Sequence, residues 1–151
     1  MKLDQFLTER EVPFERMLHP PASTATRVAE CLHVPGKDVA KSVLLRTTHG
    51  YVLAVLPATF RVDLDRMRRE LGEPEMEVAC EQEIEQIFTD CERGAMPPFG
   101  SLYRLRTIVD EHLAEDDKIV FDAQSHEEAI RMRYRDFAKL EQPRIGHFAR
   151  N

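Results

Sequence analysis

Val39–Thr47 and Tyr51–Leu56 are two apolar, β-prone runs parted only by Thr48-His49-Gly50. A glycine-containing gap of that length between such runs specifies a β-hairpin. A lone hairpin is marginal in water, so further strands or helices must cover its apolar faces. The rest of the 151-residue chain has to supply that cover.

It offers both kinds of element. Leu3, Phe6 and Leu7 recur at helical spacing within Met1–Arg10, with Asp4 in the first turn. Pro13–His19 reads as a strand ended by His19-Pro20-Pro21. Thr24–Val34 reads as a helix capped by Ser23 or Thr24 and stopped by Pro35-Gly36. Asp63 is placed to cap a helix through Leu71, with Gly72 at the position after its C-cap. Glu75–Ala79 is a short strand, and Glu81–Phe88 returns to helical spacing. Leu105–Asp110 and Lys118–Asp122 read as strands. Ala129–Arg135 alternates Ile130, Met132 and Tyr134 with Arg131, Arg133 and Arg135. Phe137–Leu140 reads as a last helical turn. Strands and helices mix without a strict βαβ rhythm, which predicts an α+β domain with a mixed or largely antiparallel sheet. The length suits one domain spanning residues 1–151.

Composition excludes several classes. Hydrophobic residues are 42% and charged residues 32%, the balance of a folded globular chain. The longest near-continuous apolar stretch, Val52–Ala58, contains Pro57 and is far short of the roughly 20 residues a membrane helix needs. The N-terminus lacks the apolar core of a secretory leader, so the expected compartment is the cytoplasm. Cys31, Cys80 and Cys91 form no CxxC pair, and the six histidines no HExxH or HxxxH spacing, so no metal centre is expected. Net charge is −6, which argues against a nonspecific coat on DNA or RNA. The charge is uneven: Glu70–Glu92 holds nine acidic residues and no basic one, whereas Arg131–Arg150 holds six basic residues against Asp136 and Glu141. The first reads as a solvated face, the second as the candidate surface for phosphates.

Three features could carry chemistry. Lys41 lies inside the apolar run Val39–Leu45. Its ammonium either points to solvent or is held to meet a phosphate or a developing oxyanion. Gly94-Ala95-Met96-Pro97-Pro98-Phe99-Gly100 packs two prolines and two glycines into seven positions. Gly94 permits φ > 0, and the prolines stiffen the second half of the loop. Such a turn either just connects or aims the amides of Ala95 or Met96 at one point, as an oxyanion hole requires. His19 could act as base or donor, or bond backbone at a strand end. Ser23, Thr24 and Thr26 could hold a ribose hydroxyl or cap the helix. No GxSxG elbow, P-loop or GxGxxG is present, so any hydrolysis would use water as nucleophile.

Together, Ala40-Lys41-Ser42-Val43 and Gly94–Gly100, with His19-Pro20 before them and Asp110 and Phe137–Pro143 after, resemble the YbaK-type, prolyl-tRNA-synthetase-associated editing domains. The resemblance implies an α+β fold around a curved, mixed, largely antiparallel, barrel-like sheet with flanking helices. It also implies trans-editing: hydrolysis of the ester of a mischarged small amino acid at the tRNA 3′ end. By that resemblance Lys41, Gly94 and Ala95 are the catalytic positions. His19, Thr24, Met96, Pro97, Pro98, Phe99 and Asp122 contact substrate. No cofactor is implied. The partners are the acceptor end of an aminoacyl-tRNA and a synthetase or elongation factor that delivers it. Many relatives carry Asn-Ala-Gly where this chain has Asp122-Ala123-Gln124, a change expected to reshape the aminoacyl pocket. Two other readings stand beside this one: a non-catalytic module sensing an aminoacyl or nucleotide ligand, and an esterase on small aminoacyl compounds.

Overall fold

A computed structural model describes all residues, Met1–Asn151. The expected hairpin forms its centre. Strands β2 (Ala40–Thr47) and β3 (Gly50–Pro57) pair antiparallel from Ala40 against Pro57 to Thr47 against Gly50. The turn is therefore two residues, Thr48-His49, one fewer than the sequence suggests. Gly50 takes φ +116°, and the Thr47 hydroxyl donates to its carbonyl at 2.7 Å.

The hairpin grows into a five-stranded mixed sheet, in order β5 (Met76–Val78), β2, β3, β6 (Arg106–Asp110) and β9 (Arg144–Gly146). The β3–β6 and β6–β9 pairs are parallel; the β2–β3 and β2–β5 pairs are antiparallel. A second, antiparallel sheet runs β1 (Glu15–Leu18), β8 (Glu128–Arg133), β7 (Lys118–Asp122). It meets the first at one parallel bridge, Val39 to Val120. β4 (Arg61–Val62) and β10 (Ala149–Arg150) form a small ribbon. The fold is thus α+β, mixed and largely antiparallel as expected, and the barrel-like curvature stops short of closure.

Period-two alternation explains the burial. Leu44, Leu53, Val55 and Val109 face a cluster completed by Leu3, Phe6 and Leu7 of α1 (Leu3–Glu9), Phe137 of α6 (Tyr134–Glu141), and Phe99. Leu45, Val52, Ala54, Leu56 and Ile108 face the other side, under Met67 of α3 (Leu64–Leu71) and Phe148. Each fully buried side chain of this size stabilises by about 1.5–3 kcal/mol. Helix α3 has the predicted ends: the Asp63 side chain accepts from the Arg66 amide at 3.1 Å, and Gly72 takes φ +67°. A third cluster seats α2 (Ala25–Leu32), through Val28 and Ala29, on Val39, Ala58 and Val120. This is where the two sheets meet and where a cavity opens.

Helices α4 (Glu81–Ile87) and α5 (Glu111–Ala114) complete the chain. No helix is long and apolar enough to cross a membrane. Two expectations need correcting. Tyr134 opens α6 and does not end the preceding strand; its amide bonds the Asp117 carbonyl, so alternation stops at Arg133. The acidic run is not wholly a solvated face. Glu73 is buried against the His49 ring at 2.8 Å, and Glu83 accepts from Tyr51, the Cys80 amide and Arg46. Those bonds, Tyr51's above all, pull the Glu83 carboxyl down to about 2.

Candidate active site

The cavity holds about 330 Å³ and is walled by five parts of the chain, one of them Ala58 just after β3. The first turn of α2 gives Thr24, Ala25 and Thr26; the entry of β2 gives Val39 to Ser42; the turn before Pro97 gives Gly94 and Met96; the end of β7 gives Asp122. Lys41 and the glycine turn, over fifty positions apart in sequence, thus face one space.

Lys41 is half-buried, and its ammonium reaches only the Ala58 carbonyl, at a long 3.4 Å. One weak bond leaves donors for a ligand. Burial, and then the nearby Arg61 guanidinium, lower its pKa. Arg61, on β4, is therefore a second cation beside the site, invisible in sequence because its strand is two residues long.

The glycine turn is held from both sides. Gly94 takes φ +82°, a region other side chains enter at a cost of roughly 1–2 kcal/mol. The Glu92 amide donates to the Gln124 carbonyl at 2.9 Å, and the His126 amide to the Glu92 carboxylate at 3.2 Å. The His126 ring spans the Ala22 and Arg93 carbonyls, so it ties the His19–Ala22 segment to the turn. The Ala95 amide donates to the Glu92 carbonyl at 3.0 Å and is not free for a ligand. That corrects the expectation for Ala95. The amides of Gly94 and Met96 have no intramolecular acceptor, and both residues line the cavity. Pro97, Pro98 and Phe99 are also corrected: all three are buried behind the turn and none lines the cavity. Phe99 makes edge contacts with Phe6, Phe121 and Phe137, with ring centroids 5.1–5.9 Å apart. Its role is to anchor the loop, because an apolar ring next to a rigid turn lowers its energy by entering the core.

Thr24 is the helix cap and also a cavity residue. It lines the cavity, and its hydroxyl accepts from the Arg27 amide at 3.2 Å. His19 does not line the cavity. It is buried, with Nδ1 2.8 Å from the Pro20 carbonyl and Nε2 without a partner. It sits close enough to act electrostatically on Asp122.

Asp122 is the most unusual group of the site. Its Oδ1 is inaccessible to solvent and has no hydrogen-bond partner. Burial pushes its carboxyl up to about 6, against the opposing pull of His126 and His19. The Ser42 hydroxyl is likewise buried and unpartnered in the cavity wall. Gln124 behaves differently from the expectation that it reshapes the pocket. At φ +69° it turns its side chain away, accepts from the Leu3 amide at 2.9 Å, and donates to the Met1 carbonyl, Asp90 and Tyr103.

Cys91 offers no nucleophile: burial lifts its thiol to about 12. Nowhere do three or more His, Cys, Asp or Glu side chains gather at metal-binding spacing. Two of the six basic residues near the C-terminal end are engaged within the fold. Arg131 pairs with Glu15 at 2.7 Å, and Arg144 donates to the Glu70 carbonyl at 3.0 Å.

Comparison with known proteins agrees with this layout. The chain is 25% identical over 154 residues to the multifunctional Ser/Thr-tRNA deacylase ProXp-y of Escherichia coli K12, spanning 99% of this chain and 92% of that protein. It is 29% identical over 80 residues to the proline–tRNA ligase of Thermosipho africanus, covering 53% of this chain and 14% of the ligase. Among solved structures, hypothetical protein APE2540 superposes with a TM-score of 0.90 at 16% identity, over 99% of this chain and 100% of that one. A candidate trans-editing enzyme for prolyl-tRNA synthetase superposes with a TM-score of 0.81 at 19% identity, over 91% and 87%. The profile of the aminoacyl-tRNA editing domain matches residues 19–140, which contain every cavity residue named above. The chain belongs to the aminoacyl-tRNA editing domain family, in its YbaK-type branch, and is by that membership an aminoacyl-tRNA deacylase.

Proposed function

We infer that this protein is a trans-editing hydrolase that frees a mischarged small amino acid from the 3′ end of tRNA. The observation that carries the reading is the shared cavity: a half-buried ammonium with spare donors faces a turn whose Gly94 and Met96 amides are unpaired. An ester carbonyl between them meets the amides as its oxygen becomes negative, and preorganised donors of this kind lower the barrier. Lys41 holds the carbonyl oxygen or the phosphate of the terminal adenosine, with Arg61 adding positive potential. Thr24 and Thr26, in the first turn of α2, are placed for a ribose hydroxyl, and the first amides of that helix lack intrahelical acceptors. Water attacks the carbonyl, a substrate ribose hydroxyl helps to take its proton, and the ribose oxygen leaves protonated. A volume of about 330 Å³ is at the small end for ligand sites, which suits a small side chain. The negative net charge favours recognition of the acceptor end over the tRNA body, with a synthetase or elongation factor delivering the substrate.

The test is a panel of tRNAs mischarged with alanine, serine, threonine, cysteine or proline. Serine and threonine lead the panel because the E. coli relative is named for them. Release of at least one amino acid by the wild type, lost in Lys41→Ala with an unchanged circular dichroism spectrum, is the expected result. A panel left intact by the wild type although one charged tRNA binds would favour the binding-module reading. Equal turnover of a minimal aminoacyl-adenosine and full tRNA would favour the small-ester reading.

A further inference from the structure

Beyond the hydrolysis itself, which it takes as its setting, the geometry points to Asp122 as the residue that recognises the α-ammonium of the aminoacyl group. The cavity wall carries one cation, Lys41, and one carboxylate, Asp122. An aminoacyl ester at a nucleotide end carries the complementary pair, an ammonium next to the carbonyl and a phosphate beyond the ribose. With Lys41 engaged by phosphate or carbonyl oxygen, the ammonium falls to the acidic side. Asp122 lines the cavity and no protein group hydrogen-bonds its carboxylate: Oδ1 is enclosed and unpartnered, which leaves the other oxygen to meet a ligand donor. The groups around it do not serve as that donor. None of them is hydrogen-bonded to it: His126 on the β7–β8 turn has both ring nitrogens on carbonyls, His19 has its Nδ1 on Pro20 and its Nε2 unpartnered, Glu92 is itself acidic, and the Lys41 ammonium reaches only the Ala58 carbonyl. Three ammonium donors match a carboxylate in a way a neutral amide at position 122 does not, since bonds to charged groups are the stronger kind.

The residue therefore selects for a free α-amine. A peptidyl or otherwise N-acylated ester presents no charge there, and its amide buries the carboxylate without neutralising it. Such selection would spare peptidyl-tRNA while admitting aminoacyl-tRNA.

Binding and turnover separate this inference from the reading it rests on. The probes are 3′-amide-linked seryl-adenosine, which cannot be hydrolysed as an ester, and its N-acetyl derivative, titrated calorimetrically into wild type and Asp122→Asn. The wild type is expected to bind the free amine about tenfold to a hundredfold more tightly than the acetylated probe, the usual worth of a hydrogen bond to a charged group. Asp122→Asn is expected to bring the two within about threefold. In parallel, wild-type affinity for the free amine should rise as pH passes upward through about 6, where the carboxylate forms, and Asp122→Asn should lose that rise. A merely structural role for Asp122 would move neither the discrimination nor the pH profile. Equal binding of the two probes by the wild type, binding of neither, or an undiminished preference in Asp122→Asn overturns the inference. Ester turnover on mischarged tRNA reports on the hydrolase reading independently.

Discussion

Two strands of this fold end in a shielded aspartate, and the two ends behave oppositely. Asp110, at the end of β6, has no solvent exposure and is fully partnered. It accepts from the amides of His112, Phe148 and Ala149 at 2.9–3.0 Å, and its other contact is the His112 ring at 2.7 Å. Burial alone would raise its pKa, but these bonds outweigh burial and hold it below the ordinary carboxylate value. Asp122, at the end of β7, has an enclosed oxygen with no partner, and burial lifts it to about 6. One carboxylate closes the fold by tying the C-terminal residues to the sheet. The other lines a cavity with no protein donor on its carboxylate. The contrast separates a satisfied acid from an unsatisfied one by hydrogen bonding, where burial alone would class them together.

Substitutions sharpen the contrast, beginning with the largest effect. Asp110→Ala strands the amides of Phe148 and Ala149 at the C-terminal turn and of His112 in α5, and is expected to cost about 3–5 kcal/mol in denaturant unfolding at pH 7. Because the folded pKa of Asp110 is depressed, its contribution is present above the unfolded value near 4 and is lost as pH falls through the folded one. The gap between Asp110→Asn and wild type should therefore narrow in acid. Asp122→Asn should move the other way. A raised carboxylate pKa means that the folded state holds its proton longer than the unfolded state, so wild-type stability falls as pH rises from about 4 to 6. Removing the charge should stabilise the free protein by about 2–3 kcal/mol at pH 8, with the gain vanishing below about pH 4. A destabilised Asp122→Asn at pH 8 would show that its oxygen has a partner after all. The smallest effect is expected at Gln124→Gly. Glycine relieves the φ +69° conformation but drops the bonds to Met1, Leu3, Asp90 and Tyr103, for a net loss of about 1 kcal/mol in thermal unfolding.

Legibility in the sequence tracks the length and chemistry of each element. The hairpin and α3 carry long periodic runs and α3 clear caps, so both are readable in the sequence to within a residue at their ends. β4, β9 and β10 span two or three residues, and α5 a single turn, too short for any period to register. At the site, Lys41 and Gly94 stand out because each breaks a local rule: a cation in an apolar strand, and a glycine ahead of paired prolines. Phe99 and the prolines are misassigned to substrate because sequence shows that a loop is stiff but not which side of it faces the core. Asp122 is legible as a departure from relatives. The opposite fate of Gln124, two positions on, is not, because it depends on a left-handed turn that only the fold reveals.

The central claim is that the Lys41 ammonium and the Gly94 turn act on one ester in one cavity. A double-mutant cycle on single-turnover deacylation tests it most directly, using Lys41→Ala, Gly94→Ala and the pair, with circular dichroism to verify folding. Groups serving one transition state are strongly non-additive. The account predicts a loss of at least about a hundredfold for Lys41→Ala, and a double variant little worse than the more damaged single one. Losses that multiply independently, or wild-type rates in Lys41→Ala, would contradict it.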